Sequence, residues 1–520
     1  MLFVKIPNLI PKCMMQRFIE AIQSSYSFKS PTLFLGAGVL EGEIIEESQV
    51  KLPLGMMNRH GLITGATGSG KTRTLQLIAE QLSLSGVPVF MPDMKGDLSG
   101  MALEGSANAR ILERAKALGI AFSPMAFPIE LFSLSGKSGA QMRATLTEFG
   151  PILLGKILEL SETQTGVLNI LFKYADDKNL PIVDLNDLKK VLIFLSEGPG
   201  AQEIKNEYGK ISSSTTGTLL RKIVSLEQQG IGQLFGEPSF DIEDLMQKVD
   251  GRGVITLLNV SDMQDKPMVF STFMLALLAE LYQNLPEVGD LDKPKLVFFL
   301  DEAHLLFKDA SKAFLDQIEQ VIRLIRSKGV GIFFCTQQTQ DVPPSVLSQL
   351  GNRIQHVIRA FTPNDVKALK DTVKTFPKTD FYNLESQFTQ LGIGQALVTV
   401  LNEKGIPTET VVTHLSPPRS SMGPLSAEDY KKRLLVSAFF EKYKEPFDPE
   451  SAFEILEERM TRFEEQEKRY RQPSSRQKGR PRSTLEQAMT STLARSVGRE
   501  LVRGLFGMLF GVPKARRRTR

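Results

Sequence analysis

HGLITGATGSGKTRTLQLIAEQLSLSGVPVFMPD, residues 60–93, is the stretch whose reading decides the fold. Gly61–Thr64 is a short apolar strand, Thr72–Gly86 carries a helical pattern closed by glycine, and Val87–Asp93 is a second apolar strand. Strand, loop, helix and strand in that order make a βαβ unit, and such units imply a parallel sheet covered by helices. The loop between them, Gly65 to Thr72, reads GATGSGKT and fills the pattern G-x-x-x-x-G-K-[ST] at every position. Gly65, Gly68 and Gly70 let the backbone curl so that the N–H groups of Ala66, Thr67, Ser69 and their neighbours point at a phosphate. The N-terminus of the following helix adds its positive dipole end. Lys71 is placed for the β- and γ-phosphates of ATP, and the Thr72 hydroxyl for Mg2+.

Working outward, a phosphate loop needs an acidic partner on a neighbouring strand. LVFFLDEAH supplies it: five apolar residues, Leu296–Leu300, then Asp301 and Glu302 where ligands sit in open α/β sheets. Asp301 is expected to hold Mg2+ through water, and Glu302 to orient and deprotonate the attacking water. The pair can also cap the following helix, and the two roles are compatible. The letters DEAH suggest a DEAH-box helicase. That reading fails, because Asp301 lies 229 residues after Thr72 and no Q-x-x-G-R-x-G-R segment follows. GVGIFFCTQQ, residues 329–338, reads as the next strand, with Gln337 at its end as a γ-phosphate sensor. A loop glutamine bonding backbone is the plainer alternative, and Gln338 the neighbouring one. Arg323 and Arg326 sit three apart on one helix, and by chemistry alone read as a solvated basic helix end. MPDMKGDLSGM brings Asp93, Lys95 and Asp97 to the nucleotide edge, where a solvated turn is the plainer reading.

Around this centre the chain divides into a lead-in, 1–57, an ATPase core in two pieces, 58–104 and 251–425, and a helical insertion, 105–250, with a break at Gly150-Pro151. Residues 426–520 are expected as a charged helical and basic tail. Core strands are expected at Val254–Val260, Lys295–Glu302, Gly329–Gln338 and Arg353–Phe361, with two more around the turn Asn402–Gly405 within Gln395–Leu415. Ser416–Pro424 is a Pro/Ser-rich break. The fold class is α/β with a mainly parallel sheet.

Composition fits an ordinary soluble globular protein: of 520 residues, 42% are hydrophobic and 23% charged. Cys13 and Cys335 cannot make a disulfide framework, which points to a reducing, cytoplasmic home. His60, His304, His356 and His414 lack metal-ligand spacing, so no zinc site is expected. The N-terminus shows no export pattern, and Met268–Tyr282 is too short to span a bilayer. The net charge of +4 hides a tail: from Arg471 onward there are 13 Lys/Arg against 2 Asp/Glu. That tail seeks polyanions or stays solvated, and its amphipathic stretch Leu493–Phe510 is the one expected place for membrane or partner contact.

Taken together, HGLITGATGSGKT, VPVFMPDMKGDLSG, GVLNILFKYADD, LEQQGIGQLFGEP, LVFFLDEAHLLF, RSKGVGIFFCTQQ and LGIGQALVTVLNEKGIP make the chain resemble the HerA/FtsK class of P-loop motor ATPases, in particular bacterial HerA-like helicases. The resemblance spans about residues 55–425. It implies a RecA-like core in a homo-hexameric ring, ATP at subunit interfaces and DNA in a central pore, hence a DNA translocase or helicase. It raises Arg326 to an arginine acting in trans and supports Gln337 as sensor. HerA proper docks a nuclease on an N-terminal barrel, and only 64 residues precede Gly65 here, so that partner is not expected to carry over. The alternative is a peripheral ATPase energising a secretion or conjugation-type membrane complex.

Overall fold

A computed structural model of the chain describes residues 11–289, 291–307 and 312–471. The basic tail beyond Arg471, with its amphipathic stretch Leu493–Phe510, lies outside the described residues.

The described residues form fourteen strands: β1 Thr32–Leu40, β2 Glu43–Pro53, β3 Gly61–Thr64, β4 Val89–Asp93, β5 Ile129–Ser133, β6 Ala140–Gln141, β7 Lys248–Val249, β8 Arg252–Gly253, β9 Ile255–Asn259, β10 Leu296–Leu300, β11 Val330–Thr336, β12 Asn352–Gln355, β13 Gln395–Thr399 and β14 Val411–Leu415. All but β7 and β8 join one sheet, ordered β2-β1-β14-β13-β12-β3-β11-β10-β4-β9-β5-β6. From β12 to β6 neighbouring strands run parallel, and from β12 to β2 antiparallel. The glycine-loop strand β3 therefore sits mid-sheet. This is the RecA-like P-loop architecture the sequence led us to expect.

The parallel strands are buried on both faces, as that geometry requires. Along β10, Leu296, Phe298 and Leu300 enter one core while Val297 and Phe299 enter the other; β11 divides Val330, Ile332 and Phe334 from Phe333 and Cys335 in the same way. The first core contains Val269–Leu281 of the helix Pro267–Asn284 and the helices between Leu146 and Gln228. The second contains Leu75, Ile78 and Leu82 of the helix Lys71–Leu84, with Phe18 and Ile22 of the helix Lys12–Ser25. Four of the five helices of 146–228 start where Thr145, Ser161, Asp184 and Ser212 accept a hydrogen bond from a first-turn N–H. The break at Gly150 is real: its φ is 74° and its ψ 166°. Among the described residues no helix is long and apolar enough to cross a membrane.

Several elements differ from the expected ones. The segment expected as a helical insertion also supplies β5, which pairs with β9 in register Ile129↔Ile255 to Ser133↔Asn259. The lead-in contributes the long hairpin β1–β2, which extends the sheet through β14. The strand expected over Arg353–Phe361 stops at Gln355, because the backbone beyond it turns to the glycine loop: His356 N donates to Thr64 O (2.7 Å), and Val357 O accepts from Ala66 N (2.9 Å). The Pro/Ser-rich break is a packed strap. Buried Glu80 accepts from Arg419 N (2.7 Å), Ser420 N (3.0 Å) and the Ser420 hydroxyl, and Gly100 N donates to Gly423 O (3.0 Å). The expected charged helical tail opens with two helices, Ala427–Val436 and Ala438–Tyr443, divided at Ser437, which caps the second.

Candidate functional site

The loop Gly65–Gly70 crosses the C-terminal end of β3. Gly65, Gly68 and Gly70 have φ of 151°, 77° and 114°, a region that favours glycine. Thr67 and Gly68 are exposed at the tip, while Ser69 is buried with its Oγ unpartnered. Lys71 opens the following helix, and its Nζ donates to Gly65 O (2.7 Å) and Ala66 O (3.2 Å) across the loop. Thr72, half-buried, is the next residue of the helix.

Behind the loop stands a residue that the sequence reading passed over. His356 is fully buried; its Nδ1 lies 3.0 Å from Gln395 O and its Nε2 2.9 Å from Thr74 Oγ1, in the first turn of the loop's helix. Burial lowers its pKa to about 4, with the nearby Lys71 charge acting in the same sense. A Cβ added at Gly65 would stand 2.5 Å from the His356 Cβ. The loop is thus moulded on an uncharged imidazole. In sequence, His356 has no signal beyond following an apolar strand, because its partners are 282 and 39 residues away.

The strand order β3-β11-β10 puts one strand between the loop and the acidic pair, so Asp301 stands two strand spacings, roughly 10 Å, from the line of β3. That gap is the size of a phosphate with a hydrated cation. Burial raises the Asp301 pKa, with Glu302 adding to it, while a hydrogen bond from the Cys335 thiol and the Lys95 charge oppose it. Glu302 has φ of 50°, a conformation that strains a non-glycine residue by about 1–3 kcal/mol and recurs at functional sites. Its Oε1 lies 3.6 Å from Lys95 Nζ; its Oε2 is buried without a hydrogen bond, 3.5 Å from His304 Nδ1.

Gln337 follows the end of β11, exposed, and lines with Ala66, Thr67, Gln338, Gln355 and Asp365 a cavity of about 250 Å³ beside the loop. Asp341 shapes this corner by accepting from Thr336 Oγ1 and from Gln338 N (3.0 Å). The loop, Asp301, Glu302 and Gln337 therefore converge. Arg326 does not join them. It is exposed at the opposite end of β11, about 20 Å away along seven strand residues, where its charge acts on His60. Asp93 ends β4 at this edge of the sheet, and its turn is buried where a solvated one was the plainer expectation: its carboxylate accepts from the N–H groups of Gly96 (2.7 Å), Asp97 (3.2 Å) and Leu98 (3.0 Å).

The donor set suits a polyphosphate and a hard cation. The loop offers backbone N–H groups with open space where a Cβ at Gly68 would lie, and the Thr72 hydroxyl and Asp301 carboxylate are oxygen donors.

The family model described as "Helicase HerA-like C-terminal" matches residues 40–517. The chain is 22% identical over 406 residues to the DNA double-strand break repair helicase HerA of Sulfolobus acidocaldarius, covering 77% of this chain and 74% of that one. It is 23% identical over 404 residues to a probable helicase of Methanocaldococcus jannaschii, covering 73% and 72%. Among solved structures, a bacterial conjugative coupling protein, TrwB, superposes with a TM-score of 0.47 at 13% identity, over 78% of this chain and 94% of that one.

Proposed function

The chain belongs to the Helicase HerA-like C-terminal family, and from that premise we propose that it is an ATP-hydrolysing ring motor that moves along DNA as a translocase or helicase. The observation that carries the hydrolytic half is the convergence of a complete phosphate loop with a strained, partly buried Glu302 across one intervening strand. The DNA half is supported by the curated relatives, which are named as DNA repair helicases and a probable helicase.

In this reading residues 58–104 and 251–425 are the core of the motor, whose sheet also takes β5 and β6, and the rest of 105–250 is its inserted subdomain. The backbone of Gly65–Gly70 cradles the β- and γ-phosphates, and Lys71 leaves its carbonyl partners to meet them. Mg2+, held by Thr72 and through water by Asp301, would neutralise phosphate charge. Glu302 orients the attacking water and takes its proton, and Gln337 reports the γ-phosphate to the corner shaped by Asp341. Arg326, on the far end of β11, acts only if a second copy brings it to this site. That role therefore requires an assembly with shared sites, which this reading takes to be a homo-hexamer with DNA in its pore. Two cysteines without a disulfide, Cys13 exposed and Cys335 buried, support a cytoplasmic home.

The test uses Lys71→Ala and Glu302→Gln. Lys71→Ala should lose nucleotide binding and turnover together, whereas Glu302→Gln should keep ATP bound and lose turnover by 100-fold or more, on the order of a removed catalytic group. A Glu302→Gln protein that hydrolyses ATP at the original rate would refute the assignment of the base.

A further inference from the structure

We propose that Lys95 is a positioning residue for hydrolysis: held on a rigid turn after β4, its ammonium fixes the Glu302 carboxylate and so sets the rate of the chemical step without contributing to nucleotide binding. The proposal rests on Glu302 being the base.

Both backbones that meet here are fixed. The turn carrying Lys95 is pinned by the three N–H groups that buried Asp93 accepts, and Gly96, at φ 74°, lets it close. Glu302 is held at its strained φ by Ala303 N donating to Cys335 O (2.9 Å), and its own carbonyl accepts from Leu305 N (2.9 Å). What these backbones leave undetermined is the glutamate side chain. Its Oε2 is buried without a hydrogen bond, and the His304 ring at 3.5 Å forms none with it. Among the described residues, Lys95 Nζ, at 3.6 Å from Oε1, reaches the carboxylate from the turn after a separate strand.

Stability does not account for this contact. The lysine side chain is 55% exposed against 18% for the glutamate, and a pair with so wet a partner contributes about 0–1 kcal/mol. Geometry does account for it. A base must stand within hydrogen-bond reach of the water it deprotonates, and a displacement of about 1 Å costs on the order of 100-fold in rate. A cation on a rigid turn removes rotamers of Glu302 that point away from the site, while the separation from the loop, with β11 and β10 between β3 and β4, keeps Lys95 off the cradle that binds phosphate. The plainer alternative is a solvated turn whose lysine meets Glu302 without consequence.

The experiment measures kcat under saturating DNA, and nucleotide Kd with a fluorescent ATP analogue, for wild type, Lys95→Ala, Lys95→Arg, Lys95→Met, Glu302→Gln and the Lys95→Ala/Glu302→Gln double variant. Lys95→Ala and Lys95→Met should lower kcat by roughly 10–100-fold with Kd within twofold, and Lys95→Arg should recover most of the loss. The double variant should turn over no more slowly than Glu302→Gln alone, because a residue acting through another has nothing left to position. The proposal is overturned by unchanged kcat in Lys95→Ala, by a Kd that weakens in proportion to kcat, or by losses that multiply in the double variant. If Glu302→Gln itself retains full kcat, the base assignment fails and this proposal with it; if Glu302→Gln is inactive while Lys95→Ala is not, only this proposal falls.

Discussion

Replacing His356 with glutamine should remove a defined share of the protein's acid sensitivity. The imidazole is buried behind the phosphate loop, between Thr74 Oγ1 and Gln395 O, with its pKa lowered from 6.5 to about 4. The unfolded chain takes up a proton at this residue below pH 6.5, whereas the folded one does so only near 4. The unfolded state thus binds more protons in that window, and stability falls as pH falls through it. The full effect is about 3 kcal/mol, and about 2 kcal/mol is already lost between pH 7.5 and pH 5. The assay is urea unfolding of wild type and His356→Gln at both pH values. Subtracting the two proteins cancels His60, which burial lowers to about 4 and which titrates in the same sense. It also cancels Glu280, which burial raises to about 7 and which titrates in the opposite sense. Wild type should lose about 2 kcal/mol more than the variant on acidification. At pH 7.5 the variant should already be less stable by about 1–3 kcal/mol, since Thr74 and Gln395 lose their buried partner. Parallel losses in the two proteins would refute a neutral imidazole behind the loop.

Gly65→Ala should weaken nucleotide binding by more than about tenfold, since φ of 151° and a 2.5 Å approach to the His356 Cβ force the loop to move; calorimetric titration with ATP checks it. Phe298→Ala empties a fully buried site 4.8 Å from the Phe90 ring and should cost about 3–5 kcal/mol in denaturant unfolding. Arg326→Ala, at an exposed position, should leave stability within about 0.5 kcal/mol. It should cut turnover by about 1,000-fold, and mixing it with Lys71→Ala protein should restore part of the rate by pairing intact half-sites. No recovery on mixing would argue against a shared site.

The phosphate loop was legible because its chemistry is local: eight consecutive residues, Gly65 to Thr72, carry the glycines, the lysine and the hydroxyl, and flanking periodicity shows the strand and helix. Asp301 and Glu302 were legible for a similar reason, as acids closing a five-residue apolar run. What the sequence hid is non-local. β5 lies between helices and reads as one more apolar turn until it is seen paired with β9, 126 residues on. His356 and Lys95 gain meaning only from partners on other strands, and an apolar run such as Arg353–Phe361 does not reveal that half of it will bond a loop instead of a ladder. The strap at Ser416–Pro424 has the composition of a linker, yet it satisfies buried Glu80, a carboxylate that no periodicity marks as needing partners.

Phosphate release from ATP by the full chain, with and without long linear duplex DNA, tests the motor assignment most directly. The rate should rise several-fold with DNA in wild type and stay at background in Glu302→Gln whether DNA is present or not. A wild-type rate that is the same with duplex DNA, with single strands and with none would contradict a DNA-driven motor.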